Sequence, residues 1–211
     1  VTTLRIAVPC LDGVPGDHVL GLIDAREDLR RRGVKVDVRY HPGDAMICRA
    51  RNAIAADFLA EGIDLLLMVD ADILFPRDAI ARLVDWNVPV VGYNCRHRIP
   101  DVRWASVPED GGEGPLVAAR HLGTGMMLVR HDAFEELARA RAARPDFPLE
   151  SYDDGARTGV LGFFVPYVQT APERTYLSED WAFCARLRAA GVGVYIDTTV
   201  RPLHLGRQAF G

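Results

Sequence analysis

Apolar and polar positions alternate in two rhythms over the first ninety-five residues. Residues 4–9 are mostly apolar, and residues 17–32 carry apolar side chains at Val19, Leu22, Ile23 and Leu29 before Gly33. The first stretch predicts a strand and the second a helix, because side chains repeat every two residues along a strand and every three to four around a helix. Residues 34–40 alternate as a second strand, and a helix over 45–60, a strand beginning at Leu65, a helix over 77–86 and a strand over 88–93 follow. This β-α-β-α-β-α-β order predicts an α/β fold: a mostly parallel, doubly wound central sheet with helices on both faces.

The second half reads differently. Residues 96–116 are rich in proline, glycine and charge and predict a loop or hairpin at the sheet edge. An apolar strand over 122–129 and a helix over 131–143 follow. Residues 144–175 then form a connection long enough to serve as a lid or binding loop. A helix over 179–190, a strand over 192–197 and a tail with His204, Leu205 and Gly206 complete the pattern. With 211 residues, 49% of them hydrophobic, one domain is expected.

Composition narrows the classes. A net charge of −4 provides no general attraction to nucleic acid or anionic membrane. No stretch approaches the about 18 consecutive apolar residues that span a bilayer, and the first residues lack a basic-then-apolar secretory pattern. The expectation is a cytoplasmic protein. Cys10, Cys48, Cys95 and Cys184 are scattered, form no C-x-x-C and are expected to be reduced core thiols. Lys35 is the sole lysine against twenty-four arginines, a bias of coding composition with no mechanistic weight.

Candidate chemistry concentrates at one place. In Leu65-Leu66-Leu67-Met68-Val69-Asp70-Ala71-Asp72, five apolar residues lead directly into the chain's single D-x-D pair. Such a run reads as a strand covered on both faces, and open α/β sheets bind ligands beyond the carboxyl ends of their strands. Two carboxylates that close repel unless a cation is present, and a hard divalent ion with oxygen ligands suits them.

Three further features are each open to two readings. Arg51 lies on the helix stripe of Ile47, Ile54 and Phe58, either snorkelling at its edge or aiming a guanidinium at a phosphate or base, with Asn52 beside it. Ser178-Glu179-Asp180 opens the last helix, where acids complement the helix dipole and equally well take a proton from an attacking hydroxyl. His204 is either a solvated tail residue or a late-arriving ligand for an ion at Asp72.

In this order, Arg51-Asn52, Asp70-Ala71-Asp72, Gly123-Thr124-Gly125-Met126, Ser178-Glu179-Asp180-Trp181 and His204-Leu205-Gly206, the chain resembles a GT-A glycosyltransferase, close to family 2. The resemblance runs from Ile6 to Gly206 and implies a single GT-A domain. Residues 1–95 would bind a nucleotide sugar, UDP- or GDP-linked, and residues 96–211, with the loops 96–116 and 144–175, would form the acceptor side.

By the same resemblance Pro9, Leu11 and Asp12 face the nucleoside, Asp37 or Arg39 helps read the base, and Arg51, with Asn52, meets base or diphosphate. Asp70 lies near the ribose, and Mn²⁺ or Mg²⁺ is held at Asp72, with Asp70 and His204. Gly123 and Gly125 allow close approach to the sugar. Asp180 is the implied base of an inverting transfer, with Glu179 as the alternative.

The chain has no Q-x-x-R-W segment and no membrane helices, which implies transfer of a single sugar, not polymerisation. The sequence leaves the acceptor open among a protein, a glycan precursor and a hydroxylated base in DNA; Arg96, Arg98, Arg103 and Trp104 are either a solvated loop or, for DNA, a source of phosphate and base contacts. Two other functions fit parts of the pattern. A sugar-nucleotide nucleotidyltransferase would need basic residues in its first phosphate loop, and residues 11–17 contain none. A non-catalytic module binding nucleotide sugars or glycans would lack donor hydrolysis.

Overall fold

The computed structural model describes residues 1–97, 104–170 and 174–206. In chain order the elements are β1 (Thr3–Cys10), α1 (Gly16–Arg31), β2 (Lys35–Pro42), α2 (Ile47–Ala60), β3 (Leu65–Val69), β4 (Ile73–Leu74), α3 (Ala79–Trp86), β5 (Val90–Tyr93), β6 (Val107–Pro108), β7 (Leu116–His121), β8 (Met126–Arg130), α4 (His131–Ala143), β9 (Ser151–Tyr152), β10 (Val160–Leu161), β11 (Tyr167–Gln169), β12 (Thr175–Leu177), α5 (Glu179–Ala189), β13 (Val194–Asp197) and β14 (Leu203–His204). Eight strands form the central sheet in the order β2-β1-β3-β8-β5-β13-β7-β6.

The α/β class and the doubly covered sheet expected from the sequence are present. β1 runs parallel to β2 and β3, and β13 runs parallel to β5. The strand expected over 122–129 is β8, and it lies antiparallel between β3 and β5. Its residues Met126 to Val129 are buried like those of β3, so an unbroken apolar run reports burial on both faces and says nothing about direction. Glycine makes the insertion possible, since a Cβ at Gly92 of β5 would stand 2.3 Å from the Met126 carbonyl oxygen. β7, which the sequence pattern does not separate from its surroundings, pairs antiparallel with β13 and carries β6 as the edge strand. Of the loop or hairpin expected over 96–116, the described part holds β6, which pairs with β7 at the sheet edge, and β7 itself lies almost wholly beyond that segment.

Apolar layers fill both faces. On one, Ile54 and Phe58 of α2 meet Phe134 of α4 and Phe183 of α5, with the Phe134 ring 4.9 Å from Phe163 and 5.5 Å from Phe183. On the other, Leu22 and Leu29 of α1 pack with Ile80 and Leu83 of α3 against the strands. The buried side chains of α1 are His18, Leu22, Ala25 and Leu29, spaced as one helix face, whereas Ile23, expected on that face, is 57% exposed.

The connection over 144–175 is no free-standing lid. Phe147, Leu149, Phe163 and Phe164 are buried in the core, and β9 and β10 pair as a hairpin. Arg186 of α5 fastens the segment by donating to the carbonyl oxygens of Pro148, Phe163 (2.9 Å) and Val165 (2.8 Å). Burial pushes the Arg186 pKa down to about 10, so it remains charged at neutral pH.

All four cysteines are free, but only Cys95 and Cys184 are buried as expected, Cys10 and Cys48 being half-buried. Among the described residues no helix is long and apolar enough to cross a membrane.

Candidate active site at the carboxyl edge of the sheet

The parallel pairing of β1 with β3 brings their carboxyl ends side by side. The residues after β1, Leu11 and Asp12, thereby face those after β3, Asp70 and Asp72, across a cleft of about 870 Å³ that Pro9 and Ile47 also line. Asp70 to Asp72 form a tight turn. The Asp70 N–H donates to the Gly125 carbonyl at 3.0 Å, and the Ile73 N–H donates back to the Asp70 carbonyl at 3.1 Å.

The tail returns to this turn because β14 pairs antiparallel with β4, setting His204 opposite Ile73. The Leu205 N–H donates to the Asp72 carbonyl at 2.7 Å. His204 Nδ1 lies 2.9 Å from the Arg96 carbonyl oxygen, which only accepts, so Nδ1 carries the hydrogen. Nε2, on the other side of the ring, stands 3.4 Å from Asp72 Oδ1.

Arg51 joins this turn to the last helix. It is 2% exposed on α2; Nη2 donates to Asp70 Oδ1 at 2.8 Å, and Nη1 donates to the Glu179 carboxylate. Burial opposes the guanidinium charge, but Asp70 and Glu179 outweigh it and hold the Arg51 pKa above its ordinary value. Its Nε is buried with no hydrogen-bond partner among the described residues.

Asp180 lies next to Glu179 in the first turn of α5. Ser178 occupies the N-cap position, yet its hydroxyl donates to the Asp180 carboxylate and not to a backbone N–H; the Trp181 N–H donates to the same carboxylate at 2.8 Å. Burial and then the neighbouring Glu179 charge raise the Asp180 pKa, against the lowering effect of these hydrogen bonds. A carboxylate made more basic by burial is a better proton acceptor.

The structure adds a pair that sequence reasoning missed. The His121 ring stacks on Trp181, centroids 4.3 Å apart and planes within 6°, and Trp181 Nε1 donates to the Ala105 carbonyl at 3.0 Å. Burial, helped by Arg188 and Arg120, pushes His121 down to about 4, so the ring is neutral at pH 7.

Asp37 and Arg39 are placed elsewhere. Asp37 pairs with Arg5 in the β1–β2 register, four positions before Pro9 and His41. Its carboxylate accepts from Arg5 at 2.7 Å and from Arg39 at 3.0 Å, and both arginines also bind Glu61. Arg5 and then Arg39 hold Glu61 down to about 2. Asp37 and Arg39 therefore belong to a four-charge cluster beside the sheet, and neither lines the cleft.

Asn52 bonds at both ends within the chain, Nδ2 to the Tyr152 hydroxyl at 3.0 Å and Oδ1 from the Phe164 N–H at 2.8 Å. Gly123 and Gly125 are each closely packed against a neighbouring residue. A Cβ at Gly123 would stand 2.6 Å from Ala105 Cβ, and one at Gly125 would stand 3.0 Å from Cys95 Sγ. Arg96 and Trp104 form a β-bridge, whereas Arg98 and Arg103 lie outside the described residues.

The donor chemistry at Asp72 and His204 fits a divalent ion. Their 3.4 Å separation is near the about 3 Å between adjacent ligands of a six-coordinate ion with bonds of about 2.1 Å. Asp70 uses Oδ1 on Arg51. Among the described residues no three His, Cys, Asp or Glu side chains group so as to hold a metal ion.

No protein-family model and no curated protein sequence matches the chain. Among solved structures, one shares its fold and two others are more loosely similar. A197 from STIV superposes with a TM-score of 0.53 over 98% of this chain and 87% of its own, at 14% identity. Mannose-1-phosphate geranyltransferase from Thermus thermophilus is similar over 66% of this chain and 60% of its own (TM-score 0.40, 14% identity). A glycosyltransferase involved in the glycosylation of the major capsid of PBCV-1 is similar over 68% and 69% (TM-score 0.34, 15% identity). The first similarity shows a fold shared along nearly the whole chain; the other two overlap too loosely to add to it.

Proposed function

We propose that this chain is a GT-A-type glycosyltransferase that moves one sugar from a UDP- or GDP-linked donor to an acceptor hydroxyl, using Mn²⁺ or Mg²⁺. The observation that carries this proposal is the meeting of Asp70, Asp72 and His204 with the turn after β1 in one cleft, with Arg51 tying Asp70 to Glu179 on the helix that carries Asp180, a residue that does not itself line the cleft.

Each residue has a definite task. Pro9, Leu11 and Asp12 form the wall against which the nucleoside rests. Asp72 and His204 would hold the ion, as one or two side chains commonly do for a magnesium ion bound with a nucleotide's phosphates. The bound ion offsets negative charge on the departing diphosphate. Arg51 fixes Asp70 and Glu179, so Asp180 is the carboxylate left to accept the proton of the attacking hydroxyl. Displacement on the face opposite the diphosphate, with Asp180 as base, inverts the anomeric centre. A glycan precursor is the favoured acceptor over a hydroxylated DNA base, because a net charge of −4 does not draw in a polyanion.

Donor hydrolysis tests this without an acceptor in hand. UDP- and GDP-sugars incubated with the protein and Mn²⁺ should release nucleoside diphosphate from one class, and a chelator should stop it. Asp180→Asn should slow release about 10²- to 10⁴-fold with donor affinity unchanged. Binding without turnover in the wild type would instead identify a non-catalytic module.

A further inference from the structure

His18 is the one histidine on the buried face of α1, and it is 0% exposed. Its Nδ1 lies 2.7 Å from the Ile73 carbonyl oxygen, so Nδ1 carries the hydrogen and donates it. The ring meets Phe75 edge-on, with centroids 5.9 Å apart and planes at 88°. Nε2 is buried with no hydrogen-bond partner among the described residues. Burial keeps the ring's pKa below the ordinary histidine value, although the Ile73 carbonyl and the Asp72 and Asp70 charges pull the other way.

Three structural elements converge on Ile73. Its N–H closes the Asp70–Asp72 turn, its register partner across the β4–β14 pair is His204, and its carbonyl is held by His18. A leucine on α1 would fill the same space without a donor. An imidazole in a core position costs desolvation, and what it adds is one directed hydrogen bond to the strand that follows Asp72.

We propose that His18 is a positioning residue for the ion and diphosphate site: by holding Ile73 it sets Asp72 and His204 at a separation that one ion can bridge. This rests on the glycosyltransferase proposal above.

Three variants separate the hydrogen bond from packing. His18→Asn places an N–H near Nδ1, His18→Leu removes the donor, and His18→Gln carries its N–H to the position of Nε2. Calorimetry would give UDP and GDP affinity with and without Mn²⁺. Amide hydrogen exchange on ligand-free protein would follow the Ile73 and Leu205 N–H groups.

In His18→Leu and His18→Gln, Mn²⁺-dependent affinity should fall about tenfold while metal-free affinity stays within about twofold, and both amides should exchange faster. His18→Asn should restore affinity and protection to within about threefold. Wild-type affinity in a folded His18→Leu or His18→Gln would overturn the role, and so would equal losses in Asn and Gln variants or losses independent of metal. Failure of the parent proposal shows separately, as a wild type whose nucleotide affinity does not respond to Mn²⁺.

Discussion

Arg51 and Asp180 carry opposite electrostatic burdens within one small volume. Arg51 is buried yet holds two carboxylates, Asp70 and Glu179, on its two Nη groups. Its replacement by methionine leaves those acids facing each other without a cation. Because both are partly exposed, the expected cost is about 3 kcal/mol, or roughly 10 °C in Tm. Scanning calorimetry measures it, and a drop under about 2 °C would show that the pair is solvated instead.

Asp180 is destabilising where it stands. Its folded pKa lies above the ordinary 3.8, so between those values the folded state retains a proton that the unfolded chain has released. Stability therefore falls as pH rises through that window and stays lower above it. Asp180→Asn removes this dependence, and its Oδ1 can still accept from Ser178 and Trp181. The Tm of the variant relative to wild type should rise from pH about 3.5 to pH 7, even as transfer is lost. A relative Tm that falls over that range would contradict the assignment.

Some of this is legible in single residues. Arg51 on an apolar stripe signals a need for partners, but Glu179 is 128 positions away, and only folding shows that the partners are protein carboxylates. Asp37 escapes for a related reason: Arg5 inside an apolar strand is the signal, and only the β1–β2 register sets it opposite Asp37. His18 is findable, since 18, 22, 25 and 29 share one helix face.

Among the elements, the first half follows the sequence closely because each strand and helix has a clear period and a glycine or polar boundary. The reversed β8 does not, since burial on both faces erases the alternation that distinguishes an antiparallel strand. The connection over 144–175 has the length of a lid, whereas Phe163, Phe164 and the carbonyls held by Arg186 anchor it. Arg186→Leu keeps most of the packing volume and strands three carbonyl groups. Stability should fall by about 2–4 kcal/mol, and limited proteolysis should cut first within residues 148–165. Cleavage elsewhere at an unchanged rate would show that apolar packing alone holds the segment.

For the molecule as a whole, topology decides where chemistry can happen. Parallel β1 and β3 put their carboxyl ends together, the β4–β14 pair brings the tail back across the chain, and α5 presents its first turn to the same region through Glu179 and Arg51. D-x-D spacing alone says little, but its position at the end of the most apolar strand points to the cleft. The pairing of Asp72 with His204 depends on a two-residue strand pair that no periodicity announces.

Calorimetric titration of the wild type and Asp72→Asn with UDP and GDP, each with and without Mn²⁺, tests the central claim most directly. One nucleotide should bind the wild type at least tenfold more tightly with Mn²⁺, and Asp72→Asn should lose that gain while keeping its metal-free affinity. A Mn²⁺ gain that survives in Asp72→Asn, or nucleotide binding indifferent to metal in the wild type, would contradict an ion site at Asp72 and His204.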